Sequence, residues 1–209
     1  IIGSAVGFEL AKKGWKTLNV DRNSAAGYGS TSASCAIIRV YYSTFEGCAM
    51  AYEGYHYWKN WSSYLGIKDT NILSKFIDCG CMIYKTRHND YLKKVIKIAE
   101  DLSIPFELWS PDQIKSVLPI ANLFEFGPAK HFRDNDFGKH QNKIINGSVF
   151  FPNGGYVNDP QLATKNLQFA TEKNGGEFRF NCNVIDILKK NNNVSGVLFA
   201  NGEEIYSNV

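Results

Sequence analysis

The chain has 209 residues, 44% hydrophobic and 21% charged, a globular composition that excludes a disordered or collagen-like polypeptide. A balance of 23 Lys and Arg against 20 Asp and Glu leaves a net charge of +3, too mild to point to a nucleic-acid partner. No apolar run nears the roughly 18 residues of a membrane span, and five cysteines without paired spacing argue for a reduced, cytoplasmic setting rather than a disulfide framework. The chain opens Ile1-Ile2-Gly3 and ends in a strand-like run, and it reads as an internal piece of a longer protein.

In chain order, residues 3–13 carry Val6, Leu10 and Ala11 at helical spacing, with Gly14 as a stop. Residues 16–21 read as a short, mostly buried strand ending in the carboxylate of Asp21. The small, polar stretch 22–36 predicts a loop running into a helix with a Ser or Thr cap. Phe45, Ala49, Tyr52, His56, Tyr57, Trp61, Tyr64 and Leu65 predict an aromatic helix over 45–65. Residues 76–85 predict a buried strand carrying Cys79 and Cys81 on one face, with no matching Cys/His pair to make a metal site. A second helix is predicted over 89–102, capped by Asn89, with Leu92, Val95, Ile96, Ala99 and Leu102 on one face.

Residues 105–109 read as extended. Ser110-Pro-Asp-Gln113 has the form of a capping box opening a short helix. Residues 127–147 are polar and of mixed charge, with His131 and His140 among Lys130, Arg133, Lys139 and Lys143, and they read as a solvated loop or lid. A strand over 149–151 and a turn at 152–155 precede Asp159-Pro160, which opens a helix to about Lys173 closed by Asn174-Gly175-Gly176. The remainder, 177–180, 184–188, 194–199 and 203–206, predicts an antiparallel meander with turns at Asn191–Asn193 and Asn201-Gly202.

The first 21 residues hold the later parts of a dinucleotide-binding βαβ unit. Gly3 fits the third glycine, which lets the helix pack close on the strand. Asp21 lies 18 residues on, placed to accept ribose hydroxyls, and the helix N-terminus offers free N–H groups and a favourable dipole to a pyrophosphate. Alone, this half-motif fits a nicotinamide enzyme as well as a flavoprotein, and it occurs in many α/β folds.

The run Gly29-Ser30-Thr31-Ser32-Ala33-Ser-Cys-Ala-Ile-Ile-Arg39 resembles the D-amino-acid oxidase and sarcosine oxidase superfamily of flavoproteins. So do Phe151-Pro-Asn-Gly-Gly-Tyr-Val-Asn-Asp-Pro160 and Asn183-Val184-Ile185, in the same order along the chain. The resemblance implies an α/β fold: a Rossmann-like FAD-binding domain, its first strand preceding Ile1, with a β-meander, interrupted by part of an α+β substrate domain. The implied division is 1–72 and 148–209 for FAD and 73–147 for substrate. It further implies FAD held by Gly3, Asp21, Arg22, Gly29, Ser30, Thr31, Ser32, Ala33 and Val184.

The implied chemistry is oxidation of a small amine or amino acid by hydride transfer from its C–H to flavin N5, giving an imine that is hydrolysed. Arg39 would grip the substrate carboxylate through its planar fork, with Tyr42 beside it. Ser32, Ala33 and Ser34 stand where relatives with histidyl-linked flavin carry His, and Ala36 stands where one branch carries a second Arg. The alternatives are an NAD(P)-dependent dehydrogenase, or a non-catalytic flavoprotein-like assembly or binding module. The 209 residues by themselves are expected to bind FAD weakly and to be inactive; the electron acceptor is left open.

Overall fold

The structure is a computed structural model and describes residues 1–207. In chain order its elements are α1 (Ile2–Lys12), β1 (Leu18–Val20), β2 (Ile37–Ile38), α2 (Phe45–Lys59), α3 (Trp61–Leu65), β3 (Phe76–Ile77), β4 (Cys81–Tyr84) and α4 (Leu92–Asp101). Then follow β5 (Glu107–Trp109), α5 (Pro111–Val117), β6 (Ser148–Phe151), β7 (Gly155–Val157), α6 (Pro160–Lys173), β8 (Glu177–Arg179), β9 (Val184–Lys190), β10 (Asn193–Phe199) and β11 (Glu204–Tyr206). The chain forms two compact units: Ile1–Ala36 with Asn60–Lys75 and Val157–Val209, and Ile37–Lys59 with Phe76–Tyr156.

In the first unit, α1 leads into β1 and α6 leads into β8. The two strands pair in parallel, Leu18 opposite Glu177 and Val20 opposite Arg179, and α1 packs against α6. The expected strand at 16–21 is present but shorter and half exposed. The face of α1 differs from its apolar spacing. Ser4, Gly7, Phe8 and Ala11 are buried, whereas Val6 and Leu10 are 54% and 40% exposed. Small residues face inward because they let a helix approach its neighbours closely, and hydrophobic periodicity does not register them. Gly14, with φ of 87°, takes the left-handed conformation that follows many helices.

Residues 22–36 form bends and turns rather than running into a helix. Their hydroxyls take up local backbone groups: Ser32 Oγ donates to Gly29 O at 2.9 Å, and Ser34 Oγ accepts from Ala36 N at 3.0 Å. Such bonds compete with a helical ladder. The α6 start is as expected, with Asp159 Oδ1 accepting from Leu162 N at 2.8 Å and Pro160 at the first turn. Within α6, Asn166 is fully buried. Its Oδ1 accepts from Ser74 N at 2.9 Å and Trp61 Nε1 at 3.5 Å, and its Nδ2 donates to Ile72 O at 2.9 Å. One amide thereby ties segment 60–75 to the helix. The predicted four-strand meander is in fact three strands, β9–β10–β11 antiparallel. The fourth, β8, follows a helix and pairs in parallel with β1 instead.

The second unit contains two small antiparallel sheets, ordered β2–β7–β3 and β4–β6–β5. Its core joins Val149 and Phe151 of β6 to Leu92, Val95, Ile98 and Ala99 of α4 and to Cys48 and Tyr55 of α2. The helix expected over 45–65 is broken: Asn60, at φ −111° and ψ 34°, leaves the helical region and starts α3. The strand expected over 76–85 is likewise two, β3 and β4, in different sheets. Cys79 and Gly80 form the corner between them, so Cys79 is exposed rather than on a buried strand. Gly80 has φ of 76°, a region that glycine alone enters without strain.

The α4 face agrees with its spacing, though the helix begins at Leu92 and Asn89 closes the preceding turn by accepting from Thr86 N at 2.8 Å. The capping box is complete: Gln113 N donates to Ser110 Oγ at 3.2 Å and Ser110 N to Gln113 Oε1 at 2.7 Å. Residues 127–147 form a loop, mostly exposed, in which Asp136 pairs with Lys130 and Lys139. His140 stacks on Phe124 with ring centres 4.1 Å apart.

Candidate cofactor and substrate residues

The start of α1 and the end of β1 open on one cleft of about 390 Å³ in the first unit, lined among others by Gly3, Ser4, Asp21, Gly27, Phe178 and Phe180. Among the described residues no side chain caps the first turn of α1, and the dipole of the helix favours an anion at its leading N–H groups. Asp21 ends β1 with its backbone pinned on both sides: its N–H donates to Arg179 O at 3.0 Å and its carbonyl accepts from Cys182 N at 2.9 Å. Its Oδ1 accepts from Asn23 N at 2.9 Å. Oδ2 has no hydrogen-bond partner among the described residues, and the residue is exposed. Free N–H groups, a carboxylate acceptor and the flat apolar sides of two phenylalanines make a donor set that fits the adenosine and diphosphate portion of a dinucleotide.

The glycine that lets α1 approach β1 closely is Gly7. A Cβ on Gly7 would lie 2.2 Å from Asn19 Oδ1 of β1, whereas one on Gly3 would meet nothing within 4 Å. The spacing Gly3-x-x-x-Gly7, which puts both on one helix face, was the available signal. In the turn that follows Asp21, Thr31 Oγ1 accepts from the nitrogen of Ile1, the residue before α1, at 3.1 Å. Gly27, beside Thr164 of α6, lines the cleft, as does Ala26. Neither was singled out from sequence, nor were the two phenylalanines. Arg22, Gly29, Ser30, Ser32 and Ala33 lie on the exposed turn and do not line this cleft. Val184 opens β9 and lines a separate, shallow depression with Ile185, Asp186, Ile187 and Lys189.

Arg39 and Tyr42 belong to the second unit. The guanidinium carbon of Arg39 lies 4.5 Å from the centre of the Tyr42 ring and 5.4 Å from that of Tyr41, within cation–π range. Its affinity for the proton is raised above the ordinary value, chiefly by the Tyr42 hydroxyl. Burial pushes the Tyr41 phenol up as well, and Tyr41 stacks on Phe151 at 5.0 Å. Among the described residues Arg39 makes no ion pair, although it is exposed. Two tyrosine rings thus cradle the guanidinium. No helix among the described residues is long and apolar enough to cross a membrane.

The fold is similar to that of several known proteins. L-Proline dehydrogenase from P. horikoshii superposes with a TM-score of 0.76 at 21% identity, over 98% of this chain and 48% of that one. Glycine oxidase from Geobacillus kaustophilus gives 0.74 at 17%, over 99% and 50%. L-Amino acid deaminase from Proteus myxofaciens gives 0.69 at 16%, over 96% and 40%. The chain therefore spans about half the length of these structures or less, and at such identities the likeness is one of mixed α/β fold. No curated protein sequence matches the chain. Residues 1–208 match the DAO family, described as FAD dependent oxidoreductase. The chain belongs to the DAO family of FAD dependent oxidoreductases.

Proposed function

We propose that this chain supplies the FAD-binding part and a portion of the substrate-binding part of an enzyme that oxidises a small amine or amino acid at the C–H beside its nitrogen. One observation carries the reading: the uncapped start of α1, at Gly3 and Ser4, and the carboxylate of Asp21 line the same cleft. That is the pairing a Rossmann-like dinucleotide site requires. In this reading Gly3 and the α1 N–H groups hold the diphosphate and Asp21 accepts the ribose hydroxyls. Arg22, Gly29, Ser30, Thr31, Ser32 and Ala33 border the remainder of FAD, and Val184 offers backbone to the adenine.

The names of the solved structures, which act on proline, glycine and other amino acids, favour a CH–NH substrate. Arg39, which makes no ion pair among the described residues, favours one that carries a carboxylate. Tyr41 and Tyr42 keep its guanidinium oriented, and Tyr42 can donate to or accept from the bound substrate. When bound, the flavin supplies the two-electron acceptor for hydride from the substrate, leaving an imine that water hydrolyses. Segments 1–72 and 148–209 serve the cofactor and 73–147 the substrate, with Arg39 reaching the substrate from 37–59. A cytoplasmic location accords with five cysteines that form no disulfide.

The test is the visible absorption spectrum of the protein expressed from its complete reading frame, before and after acid precipitation. Flavin bands released to the supernatant, and bleached anaerobically by one member of an amino-acid panel, are the expected result. Bands that no amine or amino acid bleaches would favour a non-catalytic binding module. No bands even after added FAD would overturn the reading.

A further inference from the structure

Cys79 and Cys81 flank the corner at which the chain leaves one sheet for the next. Cys79 is exposed and Cys81 half-buried. The corner is fixed: Cys79 N donates to Ile77 O at 3.1 Å and Gly80 N to Gly154 O at 2.9 Å. A side chain at position 80 would begin 2.4 Å from the Phe150 ring. Two residues of chain span at most about 7 Å, and a disulfide needs Cα atoms roughly 4.4–6.8 Å apart. The chain bends between the two cysteines at Gly80, φ 76°, and Cys79 Sγ donates to Gly80 O at 3.7 Å on that bend. On a continuous strand the two thiols would share one environment; the corner gives them different ones.

We propose that Cys79 and Cys81 are a thiol–disulfide exchange site for low-molecular-weight disulfides, with Cys79 the entering thiol and Cys81 the resolving one. The Cys79 thiolate attacks one sulfur of R–S–S–R and expels RS⁻. The Cys81 thiolate then attacks Cys79 Sγ and expels the second RS⁻. The two protein thiols give up two protons and two electrons, and the small disulfide is reduced to two RSH. Burial pushes the Cys81 thiol up, which suits it to react second, once the mixed disulfide lies next to it.

The reaction bears on substrate binding, and this part rests on the role proposed for Arg39. In the reduced state Cys81 Sγ donates to Ile38 O at 3.5 Å. Ile38 immediately precedes Arg39, and oxidation removes that donor. One contact on β2, beside Arg39, is thus lost as the disulfide forms, while the pairing of β2 with β7 stays.

Trypsin cleaves after Lys75 and Lys85 and releases both cysteines in one peptide, 76–85. The folded protein is treated with glutathione disulfide, alkylated, digested and weighed by mass spectrometry. The expected peptide is unalkylated and two hydrogens lighter than the dithiol. Cys81→Ser should stop with glutathione on Cys79, and Cys79→Ser should leave Cys81 free of glutathione. A wild-type peptide that stays fully alkylated, or halts at the glutathione adduct, overturns the proposal. In the oxidised enzyme, KM for the amino acid is expected to rise about fivefold at constant kcat. A disulfide that forms with KM unchanged overturns the link to Arg39. Absence of amino-acid turnover in both redox states counts against the proposed function and leaves the exchange chemistry standing.

Discussion

Gly3 and Gly7 stand about one helical turn apart on α1 and meet different surroundings. Gly7→Ala drives a methyl group into Asn19, whose Nδ2 donates to Glu177 O at 3.1 Å. The expected loss is about 1 kcal/mol in denaturant unfolding, as Asn19 swings away from its partner. Gly3→Ala meets no obstacle and gains helix propensity, up to about 1 kcal/mol. Its expected effect is instead a roughly tenfold weaker hold on FAD, about 1.4 kcal/mol, measured by fluorescence titration of the apoprotein, because in the proposed reading the methyl stands where the diphosphate would approach. A Gly3→Ala protein that holds FAD as tightly as wild type would remove Gly3 from the site. Arg39→Lys keeps the charge and loses the planar fork. It should raise KM for a carboxylated substrate at least about tenfold, with FAD content unchanged.

At the scale of elements, the first unit depends on one buried amide. Asn166→Ala leaves Ser74 N–H and Ile72 C=O without their partner and should lower stability by about 3 kcal/mol, read by chemical denaturation. Asp159→Ala removes the cap of α6 and should cost only about 1 kcal/mol. Asp159 was legible because capping chemistry is local. Asn166 was not, because a polar residue inside a helix gives no sign of the carbonyl and amide it will meet from residues 72 and 74. The capping box at Ser110 and the face of α4 were legible for the same local reason. The breaks at Asn60 and at Cys79-Gly80 were not, because apolar spacing runs through both without interruption.

At the scale of the whole molecule, acid is expected to loosen the tie between β8 and the meander turn. Arg179 grips Glu203 through two bonds of 2.8 Å and holds its carboxyl below the ordinary value of 4.5. A lowered carboxyl contributes stability above its unfolded pKa and loses it as pH falls through the folded value. The acid limb of the stability profile should therefore flatten in Glu203→Gln below about pH 4 and match wild type in shape near neutrality, with a small amplitude because the pair is exposed.

The sequence by itself determined the local devices: the helix start at Asp159-Pro160, the capping box, the Asn turns of the meander and the small-residue run after Asp21. Each acts within a few residues, so its chemistry is complete in the string. Gly3 and Asp21, 18 residues apart, bracket one helix and one strand, and the structure puts them on one cleft. Only the tertiary structure decided that β8 joins β1 in parallel instead of opening the meander, that Gly7 is the glycine of closest approach, and that Phe178 and Phe180 wall the cleft. These outcomes rest on contacts between segments more than 150 residues apart in some cases, as in the pairing of Leu18 with Glu177. Hydrophobic spacing says which residues seek cover but not which distant segment supplies it.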